Sequence, residues 1–164
     1  MKNIIVTPNY PGLIDEGRRF RIDGSLQADG QIKIDLGRKP IFVSGSIEAG
    51  ESIKAGGSIK AGWSIKAGEG IDAGWSIKAG GSVEAGWSIE SSRSIEAGRS
   101  IKAGENIYAQ MSITCRFSLS VGLRVFSGLC FWRNPEPDEM RVTCGRLTGG
   151  EIAFGNLVET GEIE

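Results

Sequence analysis

Gly45 to Thr114 reads GSIEAG ESIKAG GSIKAG WSIKAG EGIDAG WSIKAG GSVEAG WSIESS RSIEAG RSIKAG ENIYAQ MSIT. One six-residue unit recurs with little drift: a variable residue, Ser, an aliphatic residue, a charge, Ala and Gly. The aliphatic slot falls at Ile47, Ile53, Ile59 and onward every six residues to Ile113, with Val83 the one exchange. Ala follows two residues later, except at Ser91 and Cys115. In an extended chain, residues two apart share a face, so the aliphatic residue and the Ala point inward while Ser and the charge point out. Gly then stands where the backbone must turn. Each hexad is one short strand and one corner.

A three-residue strand cannot bury its apolar side alone, so the coils must stack, each strand pairing with the strand one full turn away. The charges select the number of hexads per turn. With three, the outward slots form the ladders Glu48/Lys66/Glu84/Lys102, Lys54/Asp72/Glu90/Tyr108 and Lys60/Lys78/Glu96/Thr114. Most charged neighbours are then opposite in sign. With two, Asp72, Glu84 and Glu96 would stack as like charges, which is destabilising. The expectation is an all-β fold, a single-stranded parallel β-helix, or triangular β-solenoid, with irregular N- and C-terminal caps. A right-handed coil is preferred, because the left-handed acyltransferase-type hexad places its small inward residue two before the aliphatic one, and here Ala comes two after.

The flanks divide a single solenoid domain, 1–164, into four parts. Residues 1–19, with IIV, two prolines and the turn-like NYPG, read as an N-terminal cap plugged by Ile4, Ile5, Val6 and Leu13. Residues 20–45 hold degenerate coils, in which the segment DLGRKP before Ile41 adds one residue as a bulge or corner loop. Residues 46–115 are the strict tract. Residues 116–164 continue with Leu119, Val121 and Val125, and with Phe131 as a further candidate slot. A polar loop, RNPEPDE, comes next, and after it strands around Val142, Ile152 and Val158. Phe117, Phe126, Phe131, Trp132 and Phe154 concentrate there, as a plug or an assembly surface.

Composition narrows the function classes. The 164 residues carry 19 Lys and Arg against 20 Asp and Glu, a net charge of -1, with both signs interleaved. This gives no basic field for a phosphate backbone or an anionic membrane, so neither is favoured as a partner. The short apolar run before Pro8 lacks the length of a signal peptide core, and three cysteines without an export signal suggest a reduced, cytoplasmic setting. Histidine is absent, which removes the commonest general base and metal ligand. No catalytic, cofactor or metal role is assigned, and the chain is expected not to be an enzyme.

The tandem (S/N)-I-(K/E)-A-G-x hexads resemble the polymer-forming cytoskeletal proteins of bacteria, the bactofilin-like family, over about Phe20 to Val125. The resemblance implies a right-handed triangular β-helix and polymers formed end to end through the solenoid termini.

Trp63, Trp75 and Trp87 occupy the variable slot twelve residues apart, so in an eighteen-residue coil they lie on three different edges. Trp75 would neighbour Gly57 and Arg93, which allows a cation–π contact. They are either rings packed over corner glycines or, with Arg93, anchors for a protein partner. Phe126, Phe131, Trp132 and Phe154 are the candidate oligomerisation residues. Cys115 and Cys144 fall in Ala slots and read as small core residues. Arg18, Arg19 and Arg21, with Arg38 and Lys39 one coil above, are solvated edge charge or a contact for a phosphate or an acidic partner. The expected function is that of a non-enzymatic interaction protein that self-associates, as a homodimer, and docks a protein partner. A bactofilin-like polymer and an inhibitor of a host defence system carried by a phage or mobile element, anti-CRISPR-like, are the alternatives.

Overall fold

The computed structural model of the chain describes residues 2–164; Met1, the first residue of the expected N-terminal cap, lies outside the described residues. Three-residue strands follow one another from Phe20–Ile22 to Ile113–Cys115, each beginning at an aliphatic slot. They build a parallel β-solenoid of about 8 turns with irregular ends. The only helix among the described residues is one 3-10 turn, Pro137–Met140. None is long and apolar enough to cross a membrane.

The coil has three faces. The first runs through Leu26–Ala28, Ile47–Ala49, Ile65–Ala67, Val83–Ala85 and Ile101–Ala103; the second through Ile4–Val6, Ile32–Ile34, Ile53–Ala55, Ile71–Ala73, Ile89–Ser91 and Ile107–Ala109. The third runs through Phe20–Ile22, Ile41–Val43, Ile59–Ala61, Ile77–Ala79, Ile95–Ala97 and Ile113–Cys115. In the strict tract each residue pairs with the one eighteen further on, Ile65 with Val83 and Lys66 with Glu84. The three expected charge ladders form as written, Glu48 beside Lys66, Lys54 beside Asp72, Lys78 beside Glu96. Lys78 and Glu96 close to 2.8 Å and Lys66 and Glu84 to 3.7 Å, both exposed, so they bias register more than they add stability.

The interior is a stack of aliphatic layers. The Ile slots from Ile47 to Ile113 are sealed from solvent, and most of the Ala two residues on are buried beside them. Isoleucine suits this position because its branched side chain has few rotamers to lose in a strand. At the corners the coils approach so closely that a Cβ on Gly74 would run into the carbonyl oxygen of Gly56 in the coil below, and one on Gly104 into that of Gly86. Cys115 and Cys144 lie in the core as expected, and burial pushes their thiols up to about 12 and about 11.

Two expectations need correction. The segment before Ile41 adds three residues, not one. Across it strand partners are twenty-one apart, Phe20 with Ile41 and Ile32 with Ile53, against eighteen above it, Ile41 with Ile59. The surplus is a turn in which Leu36 stays buried and Gly37 takes a left-handed φ of 62°. Phe131 is not a core slot. It is 83% exposed, in the segment that joins the strand Ser118–Ser127 to Arg141–Cys144.

The two ends differ. At the N-terminal end, Ile4–Val6 adds a parallel strand to the second face with Val6 buried, Ile4 half-buried and Ile5 exposed. Leu13–Asp15 instead pairs antiparallel with Phe20–Ile22 and covers the third face. Glu16 clasps Arg19 at 2.6 Å and Arg21 at 3.0 Å, and Asp15 meets Lys39 at 2.5 Å. Of the expected basic cluster, Arg19, Arg21 and Lys39 are therefore paired within this hairpin. At the C-terminal end, Ser118–Ser127 spans two faces, Arg146–Phe154 lies on it, and Asn156–Glu159 lies on Arg141–Cys144. Beyond Arg146–Phe154 and Asn156–Glu159 no strand follows among the described residues.

Truncating one core layer tests this architecture. Ile77→Ala should cost about 2–5 kcal/mol in urea unfolding, the usual range for a buried aliphatic deletion. Lys66→Ala, on the outer face of the same tract, should cost less than about 1 kcal/mol.

Candidate functional site

The faces of the rod carry short ladders of charged residues, of which Lys66–Glu84 and Lys78–Glu96 close as ion pairs, so its distinctive surfaces are the edges and the open end. Each tryptophan marks a different edge, as the spacing requires. Trp63 stands between the third and first faces over Gly45, Trp87 between the first and second over Glu69, and Trp75 between the second and third over Gly57. Trp63 is 71% exposed and Trp75 36%. The Arg93 guanidinium lies 5.1 Å from the Trp75 ring centroid, and Phe131 and Trp132 share its groove.

Ser91 explains part of the local geometry at the Trp75 edge. It sits in an Ala slot and is buried, and its hydroxyl donates to the Trp75 carbonyl at 2.5 Å while accepting the Arg93 backbone N–H at 3.1 Å. Elsewhere the corner N–H donates straight to the carbonyl one coil below, as Arg99 does to Gly81. At Arg93 a hydroxyl is interposed, so the ladder is relayed through a side chain and both the Trp75 carbonyl and the Arg93 N–H stay satisfied. The sequence carried the signal, SS in place of AG at Ser91 and Ser92, without showing its purpose.

The segment from Gly128 to Met140 leaves the rod at this same edge. Leu129 lies beside Tyr108 and Gln110, and Phe131 and Trp132 share a groove with Trp75, Arg93, Arg38 and Gln110. The groove encloses about 510 Å³, and Gly56 and Gly74 form part of its floor. Phe131 and Trp132 meet edge to face at 5.4 Å. The Gln110 side-chain amide oxygen, Oε1, is buried there without a hydrogen-bond partner.

The four candidate oligomerisation residues thus fall into two groups. Phe131 and Trp132 join Trp75 and Arg93 on the edge. Phe126 stacks on Tyr108 at 4.9 Å on the outer second face, and Phe154 follows it in register in the last coil. The Phe131 segment is closed on itself by Glu139, whose carboxylate accepts two guanidinium N–H bonds from Arg133, at 2.7 and 2.6 Å, and the Glu136 backbone N–H at 2.8 Å. The Arg133 pairing, then the backbone bond, hold its pKa down from the usual 4.5 to about 2.

The open end is the second surface. Leu147 pairs with Leu119, Ile152 with Val125 and Leu157 with Val142, so these three side chains form the last layer of the core. Leu147 and Ile152 are half-buried and Leu157 is 40% exposed, with no further coil over them. The tail beyond turns back along the Trp63 edge, where Glu162 meets Arg116 and Glu164 meets Arg99, both at 2.7 Å.

The chain matches no protein-family model, no curated protein and no solved structure.

The Glu139 clasp predicts a titration. A carboxylate whose folded pKa is depressed contributes its stability in full above the unfolded value and loses it as pH falls toward the folded one. Trp132 emission should therefore change between about pH 4.5 and about pH 2, and Glu139→Gln should show the acid-state emission at neutral pH.

Proposed function

We propose that this chain is a non-enzymatic interaction protein, a rigid β-solenoid that self-associates through its C-terminal end and docks a protein partner on its side. The observation that supports self-association most directly is the core layer of Leu147, Ile152 and Leu157, whose strands have no further strand beyond them among the described residues. A parallel edge with an apolar section behind it is a template for further pairing. A second copy can supply the missing layer, because two such ends meeting about a two-fold axis bring the same patch to both sides.

The N-terminal hairpin argues for a discrete dimer over an open series. Its antiparallel strand, Leu13–Asp15, interrupts the parallel ladder on the third face and carries the ion pairs of Asp15 and Glu16 to the surface. Head-to-tail growth needs both ends open, whereas tail-to-tail contact needs one. The bactofilin-like resemblance of the hexads favours the polymer as the competing reading, with the same end coil as one of its contacts.

Light scattering after size exclusion distinguishes these outcomes. The native chain should run at twice its 17.5 kDa mass over a wide concentration range. Leu157→Lys should be monomeric with an unchanged far-ultraviolet spectrum. A native monomer, or a Leu157→Lys variant that still dimerises, would refute the end-to-end contact; mass that grows without limit would establish the polymer instead.

A further inference from the structure

The Trp75 edge carries features that a charge ladder or a packed corner does not need. Two of its guanidiniums, Arg38 and Arg93, have no carboxylate within ion-pair distance among the described residues. By contrast Arg99, Arg116, Arg124, Arg133 and Arg141 are each paired at 2.6–2.7 Å. Between the two free cations lie Trp75 and the glycine floor, and over them the exposed rings of Phe131 and Trp132. Apolar anchor sites flanked by unneutralised arginines favour an anionic occupant with an apolar side chain.

The molecule already displays how such a segment binds along an edge of this rod. Its own tail, Glu162-Ile163-Glu164, places one carboxylate on Arg116 and the next on Arg99, with Ile163 between them. On the Trp75 edge the cations are further apart. Arg38 lies one coil below Gly57, Trp75 is hydrogen-bonded to Gly57, and Arg93 stacks on Trp75 from the coil above. Three coil spacings make about 14 Å, which an extended chain covers in about four residues.

We propose that this groove binds an extended acidic peptide of a partner protein, with carboxylates four residues apart on Arg38 and Arg93 and an intervening apolar side chain against Trp75 and the Phe131–Trp132 pair. The occupant is a peptide and not a nucleic acid. The second face beside the groove presents Lys33 and Lys54 next to Arg38 but Asp72 and Glu90 on the coils of Trp75 and Arg93, and this acidic pair interrupts a continuous phosphate backbone while leaving room for two discrete carboxylates. The proposal rests on the reading of the chain as an interaction protein and names the chemistry of its partner.

The probe is a fluorescein-labelled peptide, Gly-Glu-Ala-Leu-Ala-Glu-Gly, followed by anisotropy on the full chain. The comparisons are its Gln-for-Glu counterpart and a labelled oligothymidylate. Saturable binding of the Glu peptide by about 1 mM is expected, and it should weaken with salt. Arg38→Glu and Arg93→Glu should each reduce affinity at least about tenfold. Trp75→Ser should reduce it as well, and Arg99→Glu, on another edge, should leave it unchanged. Thermal melts of each variant separate lost binding from lost fold. No saturable binding, equal binding of the Gln peptide, indifference to Arg93→Glu in a folded variant, or tighter binding of the oligothymidylate overturns the proposal. The oligomeric state is read separately: a dimer that ignores the Glu peptide overturns this inference alone, and a folded chain that neither dimerises nor binds overturns both.

Discussion

A strand of three residues keeps its place only because another strand lies one coil below and another one coil above. Ile65 donates its N–H to Ser82 above and Gly68 donates to Ala49 below, and the same exchange repeats along the rod. Each coil is folded largely by its neighbours. The corners can then be tight enough to exclude any side chain at Gly74 and Gly104, and the interior can be uniform, because the backbone ladder fixes where each layer sits. The cost falls on the two terminal coils, which must manage with one neighbour. One end answers with an antiparallel strand and ion pairs; the other leaves Leu147, Ile152 and Leu157 facing outward.

The same logic assigns the surfaces. A face position is bounded above and below by side chains of the next coils, so it pairs within the rod, as Lys78 does with Glu96. A corner position points away from its neighbours and can hold a large ring. Trp63, Trp75 and Trp87 sit at corners for this reason, and a long insertion can be accommodated only there, since a corner interrupts no strand. The Gly128–Met140 segment uses the Trp75 corner, which is how aromatic residues more than fifty positions apart come to line one groove.

What the sequence made legible was whatever the period controls. The spacing of Ile47 to Ile113 gave strand positions, inward and outward faces and, through the signs of Glu48, Lys66, Glu84 and Lys102, the triangular turn. What it hid was whatever departs from the period. Counting from Ile34 concealed that Ile32 is the slot that matters, so three surplus residues before Ile41 looked like one. Phe131 fell near an expected slot and looked like core, although its segment had already left the rod. Its meeting with Trp75 depends on the direction in which a loop folds back, for which six-residue periodicity has no signal. Ser91 was visible as an exception, but a hydroxyl relaying a backbone bond reveals itself only through distances.

The oversized coil before Ile41 also solves an alignment problem. Shifting the strict tract by one whole turn against itself would still put aliphatic residue on aliphatic residue and, apart from Ser91 and Cys115, alanine on alanine, so the interior barely distinguishes the native pairing from its neighbours. A twenty-one-residue coil has no counterpart in the strict tract, and neither does the hairpin that packs Lys39 against Asp15. These irregular elements give the chain a starting point from which turns can be counted. A nearly periodic sequence thereby acquires one unambiguous zero.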